Sequence, residues 1–121
     1  MRTFKIKWFH RWANKENLTD DLLQKAIIEM KNGLIDADLG GYVYKKRVGL
    51  KGGGKSGGVR TLIAFKVHEK AFFIYGFAKN KRANIEDNEL KALKKLAKKL
   101  LSYNDKEILK AIEAGEIIEV L

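Results

Sequence analysis

The stretch GLKGGGKS, Gly49 to Ser56, satisfies the pattern G-x-x-x-x-G-K-[ST] with which nucleotide triphosphatases cradle phosphate. Basic residues crowd around it: Lys45, Lys46 and Arg47 before, Lys51 and Lys55 within, Arg60 after, and Lys79, Lys81 and Arg82 further on. Ammonium and guanidinium groups flanking a glycine-rich backbone suit phosphate chemistry, because that backbone approaches a ligand closely and the cations neutralise it. The question is whether the phosphate belongs to a nucleotide or to a nucleic-acid chain.

A triphosphatase loop needs a strand before it and a helix after it, whose N-terminal amides face the phosphates. Here Lys55-Ser56 is followed by Gly57-Gly58 and then VRTLIAF, a poor helix opening and a good strand. No apolar strand ending in Asp is present to hold magnesium, and 121 residues are short for the parallel sheet that carries such loops. The match is therefore read as accidental, and no nucleotide triphosphate is expected as a ligand. A plain hairpin connection would explain the glycines but not the cations around them.

Charge points the same way. Lys and Arg number 25 against 15 Asp and Glu, a formal +10, and no acid occurs between Asp38 and Glu69. A field of one sign over a short patch favours a polyanion, with nucleic acid as the leading class. Against that stands a basic surface serving solubility alone. The chain lacks cysteine, so neither disulfides nor a thiolate zinc site can form, which fits a cytoplasmic protein. No apolar run approaches the ~20 residues that span a bilayer, so no membrane partner is expected. The N-terminus mixes Lys and Arg among its apolar residues, unlike a secretion signal.

The elements that must position these residues can be read coarsely. A short strand is expected over Thr3 to Lys7, then a helix from Trp8 to Lys15, with both tryptophans read as core. Thr19 caps a second helix with Asp20 and Asp21 in its first turn and Gly33 at its end. Tyr42 to Val48 reads as a strand with Val43, Lys45 and Arg47 on one face and Tyr42, Tyr44, Lys46 and Val48 on the other. Val59 to Val67 and Ala71 to Ala78 follow as strands, with His68-Glu69 at the turn between them. A lysine-rich helix spans Glu86 to Ser102, a last short helix opens at Asn104 and stops at Gly115, and Glu116 to Val120 reads as a final strand. The fold class is α+β: one domain over residues 1–121, with helices at both ends of a mainly antiparallel sheet.

Two segments carry a resemblance. The runs KKR-x₃-K-G-x-G-K-x-G-G-x-R, Lys45 to Arg60, and F-A-K-N-x-R-x-N-I, Phe77 to Ile85, followed by a lysine-rich helix, resemble the RelE/HigB superfamily of type II toxin–antitoxin toxins. More specifically it resembles the RelE-like cytotoxic translation repressors, over nearly the whole chain. This implies a small ribosome-dependent mRNA endonuclease, metal-independent and without cofactor, in which a 2′-hydroxyl attacks the adjacent phosphate. It also implies mRNA on the ribosome and rRNA as partners, with a cognate helix-turn-helix antitoxin. By position the resemblance carries catalytic roles onto Lys45, Arg47, Arg60 and Lys79, with Arg60 foremost. Lys46, Lys51, Lys55, Lys81 and Arg82 become substrate-binding candidates.

The chain departs from that pattern in one respect. Relatives place a Tyr or His after the last of these strands for acid–base work, where this chain has Asn84-Ile85-Glu86. Tyr75 shares strand parity with Phe73 and Phe77 and so reads as core, while His10 and His68 read as ordinary surface. The general base stays open between a lysine with cationic neighbours and Glu86. A non-catalytic basic RNA- or DNA-binding module is the alternative reading.

Overall fold

In the computed structural model, residues 1–50 and 54–121 are described, with side chains over 1–50 and 58–121. The elements run β1 (Arg2–Ile6), α1 (Lys7–Lys15), α2 (Asp20–Lys31), β2 (Ala37–Asp38), β3 (Val43–Leu50), β4 (Gly54–Lys66), β5 (Lys70–Ala78), α3 (Asp87–Leu101), α4 (Asp105–Glu113) and β6 (Ile117–Glu119). One sheet has the order β2-β3-β4-β5-β1-β6, antiparallel except for the parallel pair β1 and β5. This is the expected α+β arrangement, with the short β2 added at its edge.

Helices cover both sheet faces. Phe9 of α1 and Leu23, Ile27 and Met30 of α2 pack on Val48, Val59, Ile63, Phe65 and Phe73. On the other face Ala97 and Leu100 of α3 and Ile108 of α4 pack on Phe4, Val43, Leu62, Phe72 and Ile74. Strands buried on both sides need apolar residues at successive positions, which is why VRTLIAF and AFFIYGFA lack polar alternation. Thr19 Oγ1 accepts from Leu22 N–H at 3.4 Å, and Asn104 and Glu107 exchange side-chain and backbone bonds of 2.8 and 3.0 Å. Both caps stand where the sequence put them.

Three details differ from expectation. β4 opens at Gly54, not Val59, because pairing of Leu50 with Gly54 extends the hairpin through weak strand formers. Trp8 is not core: it is 44% exposed and stacks on Tyr75 with centroids 4.8 Å apart. β1 pairs with β5 only from Lys70 to Phe73, so the indole covers β5 beyond the point where β1 stops. The third is a register shift between Leu62 and Ile63, where Tyr75 opposes Leu62 and Phe73 opposes Ile63, leaving Ile74 as the extra residue of a bulge. The bulge puts Phe73 on one face and Tyr75 with Phe77 on the other, where Tyr75 is half-buried and packs against the cluster under α3. Next to it, Gly76 admits the Trp12 ring. A Cβ there would lie 2.1 Å from Trp12 Cζ3.

Candidate phosphate site on the sheet

Register builds the site. Lys45 opposes Leu62, which opposes Tyr75, and Arg47 opposes Arg60, which opposes Phe77. Cross-strand partners point to one side of a sheet, so Lys45, Arg47, Arg60, Tyr75 and Phe77 share the face that carries α3. Leu62, on the same face, is fully buried under α3, so the polar members emerge at the end of the sheet that the helix leaves open.

Arg60 is half-buried, and its Nη1 is shielded from solvent without a hydrogen-bond partner among the described residues. A buried unpaired donor costs on the order of 1–3 kcal/mol, more where charged, and such groups in folded proteins call for an explanation. Arg47 is exposed and held by Asp36: its Nε donates to Oδ1 at 3.0 Å and its backbone N–H to Oδ2 at 2.6 Å. Burial works to raise the Asp36 carboxyl, but the bonds and charge of Arg47 outweigh it and hold the pKa below its ordinary value.

Arg82 has no such freedom. Nη2 and Nη1 grip Glu89 of α3 at 2.6 and 3.1 Å, Nη1 also donates to Tyr75 Oη at 3.1 Å, and Nε donates to the Asn84 carbonyl at 2.9 Å. The hydrogen bond to Glu89 is the main cause that raises Arg82 above its already high value, and its counterpart lowers Glu89. Arg82 therefore fixes the loop after β5 and orients Tyr75 instead of standing open to a ligand. Tyr75 is thus clasped between the Trp8 ring and the Arg82 guanidinium on the same face as Arg60. Sequence parity missed it. The signal for the bulge was Gly76 inside an apolar strand run.

Two candidates fall away from this group. Lys46 points to the opposite face, is 3% exposed, and pairs with Glu29 of α2 at 2.9 Å, so it ties a helix to the sheet and has no opening to a substrate. Lys79 is exposed just past β5, where it lines a hollow of about 600 Å³ with Glu16, Leu50, Gly58 and Val59 on the α1 side. That hollow is lined by Val59 and not by Arg60. Lys81 is exposed in the turn that follows. Lys51 lies outside the described residues, as does the side chain of Lys55. Glu86 precedes α3 as its N-cap, its N–H bonded to Glu89 Oε1 at 3.0 Å.

The backbone disposes of the nucleotide loop. Beyond the glycines the chain continues as β4, so no helix N-terminus faces a phosphate there. What remains is a cationic face on a helix-covered antiparallel sheet, carried by the two segments singled out above. The family profile of the RelE toxin of the RelE/RelB toxin–antitoxin system matches residues 1–120. The chain belongs to the RelE toxin family. Membership makes it a toxin paired with an antitoxin, and it spans both halves of the site, β3–β4 and β5–α3. No curated protein sequence matches this RelE-family chain. Among its described residues no helix is long and apolar enough to cross a membrane.

Proposed function

We propose that this RelE-family chain cleaves mRNA on the translating ribosome and so stops translation. The observation that carries the reading is Arg60: a guanidinium with a shielded donor that has no partner among the described residues, on one sheet face with Lys45 and Arg47. A phosphodiester would supply the missing acceptor.

In the reaction, a ribose 2′-hydroxyl attacks the adjacent phosphorus. The P–O2′ bond forms and the P–O5′ bond breaks, giving a 2′,3′-cyclic phosphate and a 5′-hydroxyl. One proton leaves the 2′-oxygen and one reaches the departing 5′-oxygen. Arg60 donates to the non-bridging oxygens as charge builds on phosphorus, and Lys45 and Arg47 add positive potential on its flank. Guanidinium and ammonium groups held in place supply that neutralisation from the protein itself. Tyr75, whose oxygen already accepts from Arg82, keeps its own O–H to donate, which suits protonation of the leaving 5′-oxygen. Lys51, Lys55 and Lys81 contribute by holding the RNA backbone, and a helix-turn-helix antitoxin from the adjacent gene silences the toxin in the cytoplasm.

Brief induction followed by primer extension on a translated message tests this. Discrete new 5′ ends, absent with Arg60→Ala, are expected. Folded protein that binds RNA yet leaves messages intact would leave only a non-catalytic basic RNA-binding module.

A further inference from the structure

A second cationic hollow lies away from Arg60, at the other end of the sheet. It measures about 540 Å³ and its lining includes Tyr42, Lys66, Lys94, Lys95, Lys98 and Leu101. Lys66 is six residues along β4 from Arg60, roughly 20 Å at the usual rise of a strand. Nothing in the cleavage chemistry uses it.

Its construction points to a ligand of particular chemistry. Tyr42 is 51% exposed although the chain holds it at φ 64°, a left-handed conformation that a bulky residue adopts at a cost on the order of 1 kcal/mol. Gly40 and Gly41 precede it, and the stem of Lys94 lies across both, close enough that a Cβ at either would meet it at 3.2 to 3.4 Å. The Lys66 ammonium sits 5.4 Å from the Tyr42 ring centroid. Lys94, Lys95 and Lys98 have no ion pair among the described residues, and Lys66 has only an exposed contact of 3.5 Å with Glu69. Lys94 and Lys98, like Lys91 and Lys95, stand four apart on α3, where like charges repel by roughly 0.2–0.5 kcal/mol per pair. An outward-facing aromatic ringed by lysines, most of them without an ion pair among the described residues, is the combination that holds single-stranded nucleic acid: a base stacks on the ring while the cations track its backbone.

We infer that the Tyr42–Lys66–Lys94–Lys98 hollow is a second RNA-binding site, which stacks an unpaired base and holds the flanking phosphates outside the cleavage centre. This rests on RNA being the partner of the chain, but not on the chain cutting it.

The test uses a fluorescein-labelled 12-nucleotide oligouridylate, read by anisotropy over a salt series, with thermal melting to confirm that each variant folds. Lys94→Glu with Lys98→Glu should weaken binding at least tenfold and flatten the salt slope by about 1.4, at ~0.7 per phosphate contact on a single strand. Tyr42→Asn keeps a residue tolerant of positive φ but removes the ring. It should weaken binding by roughly 5- to 100-fold, the range for losing one stacked base, with the slope unchanged, while Tyr42→Phe should bind like the parent. A 4-thiouridine oligonucleotide should crosslink to the peptide bearing Tyr42, in Arg60→Lys as in the parent. All variants binding within twofold of the parent, or crosslinks only on the Arg60 face, would overturn the site. So would an acidic peptide held at this hollow by a protein that leaves the oligonucleotide unbound there, which would make it a protein-docking surface. Crosslinking at Tyr42 without any mRNA cleavage would uphold the site and refute the nuclease.

Discussion

Lys45 and Lys46 are neighbours in sequence, and the pleat of β3 sends them to opposite sides of the sheet. Lys46 is sealed against Glu29, whereas Lys45 shares its face with Arg60. Lys46→Met should therefore lower stability, but by less than the ~3–5 kcal/mol typical of leaving a buried charge uncompensated, because Glu29 keeps 19% of its side chain exposed. Urea denaturation measures it. Lys45→Met should barely shift that midpoint but should slow cleavage. Arg60→Lys keeps the charge and loses the planar fork, so single-turnover cleavage on saturated ribosomes should fall by about 10²- to 10³-fold with ribosome binding nearly intact. A normal rate there would remove Arg60 from the centre. The alternation of Lys45 and Arg47 against Lys46 was legible in the sequence from the period of two alone. The partners that decide what each cation does were not, since Asp36, Glu29 and Glu89 reach them through tertiary packing.

Between elements, small features of backbone and charge set the site. Gly76 lets Trp12 lie flat on β5, so Gly76→Ala should destabilise by about 1–3 kcal/mol through overpacking, and Trp12→Leu should relieve part of that in a double-mutant cycle. Additive effects would disprove the contact. The strands and helices were legible because their apolar spacing and caps are local signals. The bulge at Ile74 had only Gly76 as its local signal, because it is a mismatch between two strands and its position is fixed when β4 and β5 pair. Acid should loosen the same region. The Asp36 and Glu89 carboxyls are held below their ordinary values of 3.8 and 4.5 by Arg47 and Arg82. A lowered carboxyl pKa contributes stability that is full above the ordinary value and is lost as pH falls through the depressed one. Denaturation midpoints should thus be level from neutral pH down to about 5 and decline below about 4. Substituting Asp36→Asn should remove part of that decline, and an unchanged pH profile would contradict the pairing.

Across the whole molecule, one cationic chain carries two separated clusters on the α3 side of its sheet, and a polyanion is the partner that both suit. The net +10 is what points to that class in the sequence. The glycine loop pointed elsewhere until the strand after it was considered, and β4 shows why the nucleotide reading fails. Magnesium-dependent ATP binding should accordingly be undetectable by calorimetry. The central claim, cleavage of mRNA during translation, is tested most directly with purified ribosomes. These would be programmed with a defined message, either all-ribose or bearing a single 2′-deoxynucleotide at the mapped cut, beside the same message without ribosomes. The account predicts a cut at one position on the ribosome, ending in a 2′,3′-cyclic phosphate, and none in the deoxy-substituted or ribosome-free message. An all-ribose message that stays intact on ribosomes saturated with folded protein would contradict it, and so would a deoxy-substituted message cut equally well.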